Sequence, residues 1–133
     1  MKDTQAVQKK TQNEATNDFN AIEDILHSYF DGLYHGDVTQ LKSIFHSDAW
    51  LKAPGLRRSL SQWLKDVAER TTPAELNAPI DFKIISIDVV QDQAMAKIHC
   101  PLFDFNYIDF LGFLKEEGKW IIVNKMYSDI KIK

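Results

Sequence analysis

The sequence has a single cysteine, Cys100, among its 133 residues. One thiol cannot build an internal disulfide framework or a multi-cysteine metal site. The four histidines, His27, His35, His46 and His99, form no HExxH or HxH unit, so metal-ligand spacing is missing as well. A Gly-rich phosphate loop and a G-x-S-x-G elbow are also absent. No metal and no cofactor is therefore expected. Basic charge is scarce and scattered. Sixteen Lys and Arg face nineteen Asp and Glu, the net charge is -3, and the only basic pairs are Lys9–Lys10 and Arg57–Arg58. Nucleic-acid binding needs a clustered basic face, so that class of partner is excluded. No apolar run approaches the ~18 residues of a membrane helix, which excludes a helical membrane span. The opening stretch MKDTQAVQKKTQNEATND lacks the apolar core of a leader. The cytoplasm is the expected compartment, with export the alternative if a leader precedes this stretch.

What is present is enough for one domain. The hydrophobic fraction is 44%, that of an ordinary globular chain. A chain of this length buries roughly two-thirds of its unfolded surface without needing staples. Residues 1–16 are polar and read as a flexible tail or a frayed helical extension, leaving 17–133 as the single domain. From Asn17 the pattern changes. Phe19, Ile22, Leu26, Tyr29, Phe30 and Leu33 recur at three- and four-residue steps, which marks one helix face, with Thr16 or Asn17 as cap and Gly36 as stop. Asp37 with Gln40 opens a second, short helix ending near His46–Ser47. Ala49–Ala53 reads as a short strand closed by Pro54–Gly55. Ser59 with Gln62 forms a capping box for a third helix, whose Leu60, Trp63, Leu64 and Val67 share a face to about Arg70.

Four strands follow. Ile80, Phe82 and Ile84 alternate in one phase, then Ile85, Ile87 and Val89 in the other. One core can receive both sets only if a residue is inserted, so a β-bulge is expected near Ile84–Ser86. Ala94, Ala96 and Ile98 belong to the next strand, which Pro101 must bend, bulge or bring to an edge. The runs Tyr107–Leu114 and Trp120–Tyr127 flank Glu116, Glu117, Gly118 and Lys119, a hairpin signal. Helices first and consecutive strands last imply an α+β fold, with three helices on one face of an antiparallel sheet.

The order of elements from Asn17 to Tyr127 resembles the superfamily that includes ketosteroid isomerase, scytalone dehydratase and nuclear transport factor two. Three segments are similar to its branch named putative lumazine-binding, or polyketide-cyclase-like: YFDGLYHGDVTQLKSIFHSDAWL from Tyr29, VVQDQAMAKI from Val89, and YIDFLGFLKEEGKWIIVNKMY from Tyr107. The resemblance implies a cystatin-like cone, in which a strongly curved sheet wraps the helices and leaves a pocket at its wide end. It also implies a homodimer through the sheet face. The isomerases of this superfamily carry a catalytic aspartate at the position that Ala53 occupies here, just before Pro54. Alanine cannot abstract a proton, so the isomerase mechanism is not expected in that form.

Several residues remain as candidates. Asp109 sits inside an apolar strand between Ile108 and Phe110, where an unpaired carboxylate is expensive. By strand parity it lines either a pocket or the dimer face. It is either a functional acid or a structural one bonded to Asn124, Lys125 or a backbone amide. Asn124 shares strand parity with Trp120 and Ile122. If that face looks inward, Asn124 is a polar anchor, and Lys125 and Tyr127 point to the dimer side. Tyr29, Trp50, Trp63, Phe103 and Tyr107 can clamp a flat ring or simply fill the core. His46 can serve as an acid or base near Asp48, or answer the dipole at a helix end. The expected function is binding of a small apolar or aromatic ligand. The alternatives are an isomerase- or dehydratase-type enzyme using Asp109 or His46, and a dimeric protein-interaction module.

Overall fold

A computed structural model describes residues 10–131. The expected tail over residues 1–16 lies, for its first nine residues, outside that range. From residue 11 onward the chain is already structured. Helix α1 runs over Gln12–His35, five residues earlier than the apolar periodicity indicates. Its start is set by Thr11, which accepts a hydrogen bond from the Glu14 amide while the Glu14 carboxylate accepts one from the Thr11 amide. That reciprocal box satisfies two of the donors a helix start leaves free, so the first turn forms without apolar residues. Gly36 ends the helix in the left-handed region, with φ 63°.

Helix α2, Val38–Ile44, is capped by Asp37, and the Gln40 side chain reaches back to donate to the Ser28 carbonyl of α1. A β-carbon at Gly32 would stand 2.7 Å from the Leu41 side chain, so the missing side chain is what lets α2 close onto α1. Strand β1, Phe45–Ala53, begins immediately and is longer than the periodicity indicates. Pro54 and Gly55 turn it into β2, Leu56–Ser59, a strand too short to show alternation in the sequence. Helix α3, Leu60–Glu69, is capped by Ser59, but the cap runs one way. The Gln62 side chain bonds Asp66 in place of closing the expected box.

Strands β3 (Lys83–Val90), β4 (Gln93–Leu102), β5 (Phe105–Glu116) and β6 (Lys119–Asp129) complete a six-stranded sheet in the order β2-β1-β6-β5-β4-β3. The sheet is mixed, not antiparallel as expected, because β1 returns beside β6 in parallel. Strand β2, helix α3 and strands β3 to β5 all lie between β1 and β6 in sequence, a connection long enough to allow a parallel pair. The expected bulge is present: the β3–β4 register slips between Ile84 and Ser86, turning both Ile84 and Ile87 toward the helices. Pro101 lies beyond the end of the β3 pairing, which stops at Lys83–His99, so its missing amide faces no neighbour. The core fills the inner face of the sheet with Ile98, Leu111, Phe113 and Ile122 against Ile22, Leu26, Leu33 and Trp63. Each such side chain contributes about 2 kcal/mol by leaving water. This is the α+β, cystatin-like arrangement of three helices on a bent sheet.

One buried acid fixes the far end of α1. Asp18 is 3% exposed and meets Lys10 at 2.6 Å, Lys115 Nζ at 2.8 Å and Trp120 Nε1 at 2.9 Å. Burial pushes its carboxyl up, but the three donors outweigh burial and hold it at about 2. A carboxyl lowered on folding stabilises the fold above its ordinary range near pH 4 and loses that contribution as pH falls toward 2. Asp18→Asn is therefore expected to cost about 2 kcal/mol at neutral pH. Urea denaturation of both proteins across pH should show the gap closing near pH 2. A gap of constant size would mean that packing alone is at stake.

Candidate functional site

Inward and outward faces alternate along each strand, and β6 changes phase partway. Phe113 pairs with Ile122 and Gly112 with Asn124, so Val123 is an inserted residue. Before it, Trp120 and Ile122 face the helices. After it, Lys125 and Tyr127 do, opposite Leu111 and Asp109. Simple alternation from Trp120 and Ile122 would carry Asn124 inward and Lys125 outward, and the bulge reverses both. Gly112 and Asn124 meet on the outer face, where Asn124 shares a shallow groove with His46, Asp48, Trp50 and Lys52.

The inward Lys125 joins a buried polar cluster. Its ammonium lies 3.9 Å from Asp109 Oδ2, and the Tyr29 hydroxyl donates to the same oxygen at 2.8 Å. Three aromatic rings surround the ammonium: Trp63 at 4.6 Å, Tyr127 at 5.3 Å and Tyr29 at 5.4 Å to the ring centres. Lys125 is 7% and Asp109 2% exposed, so each charge depends on the other. Burial lowers the Lys125 ammonium, with Asp109 pulling the other way. Burial, then the Asp109 charge, raises the Tyr29 hydroxyl well above its ordinary value and keeps it a neutral donor. Burial likewise raises the Cys100 thiol, which leaves it an unreactive wall.

Beside this cluster lies a cavity of ≈ 160 Å³. Its walls come from α1 (Leu33), β2 (Arg58), α3 (Trp63) and the inner face of β4 to β6, where Tyr107, Asp109, Lys125 and Tyr127 stand. Arg70, just past the end of α3, closes one side and stacks on Phe103, with its guanidinium carbon 5.0 Å from the ring centre. Arg58 donates to Asp66 Oδ2 at 2.9 Å and to the Tyr127 hydroxyl at 3.1 Å. Larger grooves exist on the outside, one of ≈ 580 Å³ between the 71–82 loop and the β4–β5 turn. None of them holds a comparable set of buried charged groups, so the inner cavity is the better chemical candidate.

The expected aromatic clamp is only partly assembled. Trp63 and Tyr107 line the cavity, and Tyr29 sits behind Asp109. Phe103 stands at the lip, in a turn where it and Asp104 both take positive φ, 51° and 69°. Such a conformation is costly for a bulky residue. Trp50 is 46% exposed on the outer face and takes no part, because β1 presents Ala49 and Leu51 inward. His46 is on the outer face too, with Nδ1 2.6 Å from Asp48 Oδ1, so it and Asp109 are on opposite sides of the sheet. Lys125 is one of the partners expected for Asp109, whereas Arg58, Arg70 and an inward Tyr127 are not among the expected site residues. The one available signal was the phase change in Trp120–Tyr127, the same signal that exposed the β3 bulge.

Residues 17–128 match the family described as “Putative lumazine-binding”. The chain belongs to that family. Solved structures similar to this family member include an NTF2-like protein of unknown function from Shewanella baltica, 25% identical, with a TM-score of 0.76 over 90% of this chain and 97% of that one. Another, from Silicibacter pomeroyi, is 24% identical with a TM-score of 0.72 over 86% and 98% of the two chains. A protein with a cystatin-like fold from Caulobacter vibrioides, 15% identical, reaches 0.62 over 85% and 89%. These likenesses establish the NTF2-like, cystatin-like fold. No curated protein matches the chain. Among the described residues of this family member, no helix is long and apolar enough to cross a membrane, and no three His, Cys, Asp or Glu side chains gather as a metal site would require.

Asp109→Ala is expected to destabilise the fold by about 3 kcal/mol or more, because it strands the Lys125 ammonium and the Tyr29 hydroxyl. Tyr29→Phe should cost about 1 kcal/mol. A double-mutant cycle with Lys125→Met, read by denaturant unfolding, should give a coupling energy of at least about 1 kcal/mol between Asp109 and Lys125. Additive single effects would show that the two charges are satisfied separately.

Proposed function

We propose that this protein binds a small molecule with a flat, apolar or aromatic body in the cavity between the helices and the inner sheet face. The observation that carries the reading is the make-up of that cavity. Aromatic walls from Trp63, Tyr107 and Tyr127 surround a few convergent polar groups, the usual composition of a ligand site. The family description points to the same class, since lumazine is a flat heteroaromatic ring system. Asp109 and Lys125 then serve as the orienting polar pair, and Phe103 as the aromatic lip. Asn124 and Trp50 drop out of the ligand set because they face outward.

A second reading is supported by Asp109. It is a carboxylate on the cavity wall with a hydroxyl donor on one oxygen, the arrangement a proton-transfer catalyst of the isomerase or dehydratase type uses. His46 has no part in it, being on the other face. A homodimer through the sheet is a further element of the proposal. Phe110, Met95 and Met126 are at least 40% exposed on the outer face, and Ile85, Ile108 and Ile130 border a groove beside them. A second copy of this chain is the occupant that the family resemblance favours.

Titration of the protein with single-ring and pterin-like aromatic compounds is expected to perturb tryptophan emission in a Trp50→Phe background, where Trp63 lines the cavity and Trp120 does not, with calorimetry confirming heat of binding. A complete lack of response across both classes removes the binding reading. If turnover is found, Asp109→Asn should abolish it in protein shown by a thermal melt to be folded. For the dimer, light scattering should give twice the 15.4 kDa chain mass, and Phe110→Glu should return it to the single-chain value.

A further inference from the structure

Resting on the binding reading, we infer that the ligand is a compact ring carrying one oxyanion, and that Arg70 and Arg58 receive that anion. The charge inventory of the cavity carries this. Three cations line it, Arg58, Arg70 and Lys125, against one carboxylate, Asp109. Lys125 is matched by Asp109, and Arg58 by Asp66 from outside the cavity. Arg70 has no acceptor: among the described residues it makes no ion pair and no side-chain hydrogen bond, only the stacking contact with Phe103. Arg58 keeps one donor to spare as well, since its Nε–H is buried without a partner.

A half-buried guanidinium with no anion is unfavourable in the empty protein and becomes favourable when an anion enters. Its planar fork matches a carboxylate or phosphate in two-point contact. The contact with the Phe103 ring holds the guanidinium at the lip before the anion arrives, which lowers the ordering cost of binding. Burial, helped by the nearby Arg58 charge, already lowers Arg70 from the ordinary guanidinium range, although it stays a cation. At the opposite wall, Asp109 and the Tyr29 hydroxyl are committed to each other and to Lys125. The anion therefore belongs at the Arg70 side, and the ring lies between Trp63, Tyr107 and Tyr127. The ≈ 160 Å³ volume is below the ~300 Å³ of cavities for drug-sized ligands, which limits the body to one or two small rings.

The test compares benzoate, phenyl phosphate and neutral benzamide by calorimetry in low-salt buffer, on the full chain and on Arg70→Gln. Arg70 has no folding partner other than Phe103, and a thermal melt checks that the variant is folded. The expected result is that benzoate or phenyl phosphate binds at least about tenfold more tightly than benzamide. In Arg70→Gln that preference should vanish while benzamide affinity stays within about twofold. Whichever of the two anions binds better tells carboxylate from phosphate. Equal binding of benzamide and benzoate to the unmodified protein, or an anion preference that survives in Arg70→Gln, overturns the inference and leaves the ring-binding reading intact. If none of the three binds at millimolar concentration, the inference falls, and the binding reading rests on the aromatic titration alone. Should Arg70→Gln not fold, Arg70→Lys keeps the charge without the fork, and an unchanged anion affinity there overturns the two-point contact.

Discussion

The single inserted residue in β6, Val123, reverses the strand just where it crosses the cavity. Without it, Lys125 and Tyr127 would face outward and the inner wall would be Asn124 and Met126. Asp109 would then be a buried carboxylate with only a tyrosine beside it. The bulge therefore supplies the counter-charge of the cluster and one wall of the cavity together. It also leaves Gly112 opposite Asn124 on the outer face, where the register slips. A bulge bends its strand and strengthens the local twist, so the same insertion helps wrap the sheet around the helices.

Two buried acids act on this frame in different ways. Asp18 ties α1 to the β5–β6 hairpin through two donors, Lys115 and Trp120, with Lys10 ahead of the helix as a third, and leaves no function to assign; its role is to hold the helix on the sheet. Asp109 is matched to a lysine that is itself caged by rings and opens onto a cavity. Both are carboxylates in apolar surroundings, and what separates them is access. A charge-paired acid in a closed pocket is structural, whereas one on the wall of a cavity with surplus positive charge can meet a ligand. The surplus itself comes from elements far apart in the chain: a short strand, a helix end and the bulged strand.

Much of the architecture could be read from local patterns. The three helices, the β5–β6 hairpin and the β3 bulge follow from period, caps and turn residues, because each signal is contained within about ten residues. The Thr11–Glu14 box was equally local, yet its helix start was missed because it precedes the apolar stripe. Strand β2 was not legible at four residues. The parallel β1–β6 pair was not legible at all, since it joins segments more than seventy positions apart and leaves no periodic trace in either. The family resemblance placed the overall fold correctly, but it could not tell which face of a bulged strand looks inward.

The sequence by itself determined the elements, their order and the need to bury an acid at Asp109, because propensity, alternation and the cost of an unpaired charge are properties of neighbouring residues. It also determined the family, through segments spread over residues 17–128. Tertiary structure alone decided the site. Asp109 met Lys125 and Tyr29, not Asn124; Trp50 and His46 turned outward; and Arg58 and Arg70 arrived at one cavity from either end of α3. The physical reason is that strand parity converts a one-residue insertion into a change of face, and charge balance in a cavity is set by which distant side chains that face brings together.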